Sequence, residues 1–365
     1  MSRGIATQQE GLRKRFPGLP EHVVNFFLFI AEEVRQIMSI LGIAKLEDLI
    51  GRTDLLMPRK VNLSKTKTID LSSLLKEVKN PSNREWLKHA INAHSNGNVI
   101  ENILLQDSDI IQAIKHHKQI TKSIKIVNTD RSVCARISGE IASLFGNKGF
   151  KGQLNLNFEG SAGQSFGAFV LQGMNIRLIG EANDYVGKSL NGGCLSIIPP
   201  VINQLSENQV ILGNTCLYGA TGGRLFALGR AGERFAVRNS GAEAVIEGAG
   251  DHCCEYMTGG VVVVLGETGR NIGAGMTGGL AFILDEAGNL EEKVNHEIVE
   301  VFNLSIRKQE LILKPLIEEH VKRTNSLKAK QIIYNWVEWR SRFKLVVPPS
   351  EKLKVGLEEL EKVIF

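Results

Sequence analysis

The sequence predicts a mainly β protein: a parallel β-helix with an α-helical N-terminal stub and an α-helical C-terminal tail. Three observations carry that prediction. Glycines crowd the middle of the chain, a repeat near nineteen residues runs through them, and helical periodicity lies on both sides. The 37 glycines exceed a background share of roughly 7%. They concentrate between Gly139 and Gly288, which calls for many tight turns.

The stub comes first. Pro20 and Glu21 suit a first helical turn, and an apolar run from Val23 through Leu41 ends at Gly42 as its stop. Between Val23 and Ala31 only Asn25 interrupts the apolar residues. A helix apolar nearly all round is normally buried in a larger domain, so this one implies a domain upstream. Residues 58–110 mix Lys, Ser and Asn with short apolar clusters and read as a connector holding one or two short helices. Ile124 and Ile126 then alternate as in a strand. Ile137, Ile141, Leu144 and Phe145 repeat at helical spacing before Gly146, and Leu154, Leu156 and Phe158 return to a period of two.

The repeat follows. Gly192-Gly193, Gly222-Gly223, Gly241-Ala242, Gly259-Gly260 and Gly278-Gly279 are separated by 30, 19, 18 and 19 residues. Each pair precedes a short apolar segment. Its second places read Leu195, Leu225, Ala244, Val262 and Ala281; its fourth read Ile197, Ala227, Ile246, Val264 and Ile283. One face therefore always points inward. A nineteen-residue period is too short for a β-α-β unit and suits one coil of a parallel β-helix, with glycine at the corners. A β-sandwich of hairpins is the alternative, but fixed side-chain columns favour the helix. The 30-residue interval accommodates a surface loop near Asn203 to Asn208. After Gly288 the glycines stop. Ile298, Val299, Leu311, Ile312, Leu316 and Ile317 predict helices, restarted or kinked at Pro315. Ser326 caps a further helix carrying Ala329, Ile332, Ile333 and Trp336. Such a tail would cover the end or side of the stack and blunt its open edge.

The composition excludes several functions. A net charge of +5 is spread thinly and aromatics are only 6%, so a solvated basic surface fits better than a nucleic-acid interface. Arg13-Lys14-Arg15 and the stretch from Arg59 to Lys67 are its basic spots. The most apolar run is too short to span a bilayer. Five cysteines, Cys134, Cys194, Cys216, Cys253 and Cys254, form no C-x-x-C pair and point to a soluble protein of a reducing compartment.

Three motifs imitate active sites. Gly273 to Gly278 matches the dinucleotide fingerprint, but an apolar strand follows where a helix is required. Val186-Gly187-Lys188-Ser189 resembles the end of a P-loop, yet Ala182 stands where its first glycine belongs. His252-Cys253-Cys254 would alternate between faces on a strand and so could not converge on a metal. They read as buried thiols in a corner, and His116-His117 as an exposed helix surface. We expect no catalytic, cofactor-binding or metal-binding residue in this chain.

Two long stretches carry a resemblance. Gly4-Ile5-Ala6-Thr7-Gln8, Pro20-Glu21-His22-Val23, Asn25-Phe26-Phe27, Ala31-Glu32-Glu33-Val34-Arg35 and Ile50-Gly51-Arg52-Thr53-Asp54-Leu55-Leu56 resemble the end of the FMN-binding domain of glutamate synthase large chains. Asn128-Thr129-Asp130-Arg131-Ser132-Val133, the run from Phe158 to Phe169, Asn183 to Lys188, Glu318-Glu319-His320 and Asn335-Trp336 continue the likeness. It implies a family that makes two glutamates from glutamine, 2-oxoglutarate and two electrons. An N-terminal cysteine releases ammonia, a tunnel delivers it to an FMN and iron–sulfur site, and a right-handed β-helix closes the chain. That hand agrees with the rule for parallel crossovers.

The implied organisation is the end of an FMN-binding synthase domain over 1–57, a connector over 58–117, the β-helix over 118–290 and the helical tail over 291–365. Met1, Ser2 and Arg3 replace the family's Cys-Pro-Val, so its cluster-binding cysteine is missing, and Cys134 stands where a small residue, usually Gly, is expected. The resemblance thus implies a part that braces the amidotransferase and synthase portions, inactive alone, with FMN and the iron–sulfur cluster elsewhere. The electron donor would be ferredoxin or a nicotinamide-linked subunit, in a bacterial cytoplasm or plastid stroma. A separately encoded β-helix assembly subunit of another multi-subunit oxidoreductase is the alternative. A free-standing polysaccharide lyase or hydrolase finds thin support in Arg224 and Glu243.

Overall fold

The computed structural model describes residues 11, 14, 18–59, 66–77, 97–146, 149–200, 208–304 and 309–351. The chain divides into two compact units, Met1–Ala93 and His94–Phe365.

Helix α1, Pro20–Ile40, dominates the first unit, with Pro20 in its first turn as the sequence predicts. Gly42 ends it at φ +69°, and the Ile43 N–H closes on the Met38 carbonyl at 2.9 Å, a left-handed C-terminal cap. Met38 is its buried residue, while Phe27 and Phe29 stand 63% and 72% exposed. The described residues thus do not supply the cover that so apolar a helix calls for. Two 3-10 turns follow, Leu46–Leu49 and Thr53–Leu55. Between them Arg52 holds Asp54 through two 2.8 Å hydrogen bonds. Gly4 to Gln8, the basic Arg13 and Arg15, and residues 60–65 and 78–96 of the connector lie outside the described residues.

The second unit is built on an eleven-stranded mixed sheet. Strands β1 (Gln119–Ile126), β2 (Gln153–Ala162), β3 (Met174–Ala182) and β4 (Asn191–Ile198) pair in parallel, each beside the next. The short β5 (Val210–Leu212) pairs with β3 and β6. The parallel ladder continues through β6 (Gly222–Ala231), β7 (Ser240–Gly248), β8 (Thr258–Val264) and β9 (Gly278–Leu284). Both predicted columns are paired in register. Leu195 faces Leu225, then Ala244, Val262 and Ala281; Ile197 faces Ala227, Ile246, Val264 and Ile283. The columns extend upstream through Ile176 and Leu156, and through Leu178 and Phe158. At Gly223 both reasons for glycine hold: φ is +84°, and an added Cβ would strike the Gly192 carbonyl of the neighbouring repeat. The predicted loop at Asn203 falls within 201–207, outside the described residues.

Between strands the chain turns through six-residue corners, among them 164–169, 184–189, 233–238 and 251–256. Every second residue there is left-handed, including Ser165, Gly167 and Phe169, then Arg234, Ala236 and Arg238. Alternating handedness lets the N–H groups point in turn toward each neighbouring repeat. Tyr185 donates to the Asn214 carbonyl at 2.9 Å, and Gly187 donates to that of Phe166, also at 2.9 Å. A non-glycine residue in this conformation costs roughly 1–2 kcal/mol, which these hydrogen bonds offset. The corners add an inward column of their own: Phe166, Val186, Cys216, Phe235, Cys253 and Ile272, all buried in the core with the strand columns.

Helices close the first end of that core. Helix α2 (Ile100–Gln106), α3 (Ser108–Lys115) and α4 (Ala135–Phe145) bury Ile100, Leu104, Ile110, Ile114, Ile137 and Ile141 in it. Asp107 caps α3 from its side chain and pairs with Lys122 of β1 at 2.8 Å.

The outward columns change character along the sheet. One reads Asn157, Arg177, Ser196, Phe226, Val245, Val263 and Phe282. The tail covers its apolar half. Helix α5 (Lys314–Thr324), α6 (Leu327–Tyr334) and α7 (Trp336–Trp339) bring Leu316, Ile317, Ala329, Ile332 and Trp336 onto Phe226, Val245, Val263 and Phe282. The tail is not wholly helical, as expected, but carries two strands. β11 (Phe343–Val347) pairs antiparallel with β9, and β10 (Glu300–Asn303) with β11. Helix and strand therefore take comparable shares of the described residues, and the mainly β expectation gives way to a mixed α and β chain. The physical reason is that the repeat strands are short, while helices close one end of their core and cover one outer face.

Candidate functional site

Ionisable groups buried in the second unit mark where its parts are fastened. Glu247 lies near the end of β7, and His320 and Ser326 lie on and after α5; none is more than 3% exposed. The Ser326 hydroxyl donates to Glu247 Oε1 and accepts the Ala329 N–H at 3.0 Å, so it caps α6 as the sequence predicts while also binding the sheet. His320 Nε2 stands 3.5 Å from the same Glu247 oxygen, and its ring lies 6.1 Å from that of Phe226. Thr324 donates to the His320 carbonyl at 2.7 Å.

Serine, histidine and glutamate are the side chains of a hydrolase, but the connectivity is wrong for one. The serine bonds the carboxylate, where a nucleophile needs the imidazole, and both the serine and the histidine are fully buried. It fastens the tail to the sheet. Sequence spacing gives no sign of it, since Glu247 and Ser326 are 79 residues apart.

A second buried carboxylate fastens the helices at the first end of the core. Glu101 on α2 accepts the Arg136 N–H at 3.0 Å and the Ile137 N–H at 3.4 Å, and so caps α4 from outside it. Burial raises its carboxyl above the ordinary value, and those N–H groups pull it back down. Cys134, immediately before α4, is left-handed at φ +83°. That conformation explains why glycine is the residue expected there.

The three imitations resolve into corners. Gly273 and Gly275 are left-handed and lead through Gly278 into β9, with no helix. Val186 to Ser189 belong to corner 184–189, which leads through Leu190 into β4. His252-Cys253-Cys254 lies in corner 251–256 and not on a strand. The corner backbone alternates in handedness, so Cys253 and Cys254 are both buried with their sulfurs 3.8 Å apart, while His252 meets Asn271 at 2.8 Å. His117 is left-handed just past the end of α3, its ring tilted against that of Phe145 at 4.3 Å; His116 and His117 are exposed but follow the helix.

All five cysteines are free and buried. Burial pushes the Cys216 thiol up to about 12, and the Cys254 thiol is held high by its hydrogen bond with Cys253 and then by burial. Among the described residues no three His, Cys, Asp or Glu side chains gather to hold a metal ion, and this donor set does not fit an iron–sulfur cluster. No described helix is long and apolar enough to cross a membrane.

Fold and side chains together define a class: a repeat scaffold, laddered by its corners, with buried carboxylates fastening the helices at its first end and the tail on its outer face. A family model described as the GXGXG motif matches residues 101–349, and the chain belongs to that family. A second, described as a conserved region in glutamate synthase, matches residues 2–44. The chain is 58% identical over 96% of its length to ferredoxin-dependent glutamate synthase 2 of a Synechocystis strain, and 54% identical over 96% to the chloroplastic ferredoxin-dependent glutamate synthase of Spinacia oleracea. It spans 22% of the length of each of these relatives.

Proposed function

We propose that this chain is the C-terminal structural portion of a glutamate synthase large chain, bracing the amidotransferase and FMN-binding synthase portions so that ammonia passes between them without loss. One observation carries the reading: α1 exposes Phe26, Phe27 and Phe29 within residues 2–44, which match a glutamate synthase region. In this reading the repeats are coils of a right-handed parallel β-helix, supported by the parallel register of β1 to β9 and the right-handed rule for crossovers. The proposed organisation is a synthase-domain end over 1–57, a connector over 58–117, the β-helix over 118–290 and the tail over 291–365.

FMN and the iron–sulfur cluster belong to the upstream portions, and the isolated chain is inactive. The relatives' names supply ferredoxin as the electron donor and, for several, the chloroplast as the compartment.

The test replaces the matched 22% of the Synechocystis enzyme with this chain and follows glutamate formation from glutamine, 2-oxoglutarate and reduced ferredoxin. The chimera is expected to be active, and Phe27→Asp with Phe29→Asp to abolish assembly. An active, fully assembled double variant would refute the bracing role.

A further inference from the structure

The outward face that the tail leaves open ends in a cleft. It has a volume of about 310 Å³, and its polar lining includes Asn157, Arg177, Ser196 and Arg323 beside the amides of Gln153, Asn155 and Asn175. It forms where the outward column passes from Asn157 and Arg177 to Phe226, against the last turn of α5. Among the described residues no carboxylate lines it.

Its hydrogen-bonding capacity is unbalanced toward donors. Asn175 donates to Asn155 at 3.1 Å and Asn155 to Thr121 at 3.3 Å, so these amides largely satisfy one another. Arg323 is neutralised by Glu319 at 2.6 Å. Arg177 is not: one of its nitrogens donates to the Arg323 carbonyl at 3.1 Å, and among the described residues no carboxylate pairs with it. Asn157 beside it has no side-chain hydrogen bond among the described residues.

We propose that this cleft binds a small free carboxylate of amino-acid or keto-acid size, held by the Arg177 guanidinium with Asn157 and Ser196 around it. A planar guanidinium fork matches a carboxylate in two parallel hydrogen bonds, and side-chain amides meet either donors or acceptors on the rest of the ligand. One unneutralised positive charge suits a carboxylate better than a phosphate dianion. The assignment stands apart from the bracing role, since it uses only side chains of the second unit.

Isothermal titration of the full chain with L-glutamate, succinate and inorganic phosphate, at fixed ionic strength, tests it. At least one carboxylate is expected to bind saturably with one site and Kd on the order of 1 mM. Arg177→Gln, at an exposed position, and Asn157→Asp, at a half-buried one, are expected to melt like the parent and to weaken binding about tenfold or more. Absence of saturable binding by both carboxylates overturns the proposal. So does unchanged affinity in the folded variants, or phosphate binding as tightly as the carboxylates.

Discussion

Ser326→Ala removes two interactions at once, and their sum is calculable. The cap on the Ala329 N–H at 3.0 Å is worth about 1 kcal/mol. Donation to Glu247 satisfies a buried carboxylate whose other oxygen has no hydrogen-bond partner among the described residues, and a hydrogen bond to a charged group is worth about 2 kcal/mol. Ser326→Ala should therefore cost about 3 kcal/mol. Trp336 and Trp339 lie in the tail, so in a Trp86→Phe background their fluorescence during urea unfolding reports the fastened region directly. Glu247→Gln keeps an acceptor for the hydroxyl and discharges the site. The Ser326→Ala, Glu247→Gln double variant should accordingly lose about 1 kcal/mol less than the two single losses added together. A Ser326→Ala cost below about 0.5 kcal/mol, or strict additivity with Glu247→Gln, would refute the fastening role.

Other predictions follow from single positions. Gly180 has φ +152° and an added Cβ would meet the Gly160 carbonyl. Gly180→Ala should cost about 3 kcal/mol or more, whereas Gly139→Ala, on an open face of α4, should stabilise by about 1 kcal/mol; thermal melting separates the two. Cys134→Gly relieves the left-handed conformation while losing the buried thiol, and Cys134→Ala only loses the thiol. The glycine variant should melt at the higher temperature. Because the folded Glu101 pKa is raised, its contribution to stability is full below the unfolded pKa and lost as pH rises through the folded value. Melting curves from about pH 4 to 7 should show the parent losing stability relative to Glu101→Gln as pH rises.

What the sequence made legible was whatever a period of two or a cap encodes. Leu195, Leu225, Val262 and their partners alternate because strand side chains do, and Pro20 and Gly42 bound α1 because each has one dominant backbone use. The corners were not legible. Left-handed Tyr185, Arg234 and Cys254 carry no compositional mark, since their conformation is imposed by hydrogen bonds to the neighbouring repeats, at Asn214, Asp251 and Phe235. The Glu247, His320 and Ser326 contact was equally invisible, because only the docked tail brings α5 to the sheet. The strands β10 and β11 were hidden among apolar residues that read equally well as helix.

The antiparallel strand laid on β9 has a further consequence. A stack of identical parallel repeats has no intrinsic length, and its exposed last edge would accept the first edge of another molecule. β11 reverses the direction of the ladder, and the four-residue β10 pairs antiparallel behind it. The tail therefore closes the parallel ladder at β9, so that this edge cannot receive the first strand of another molecule.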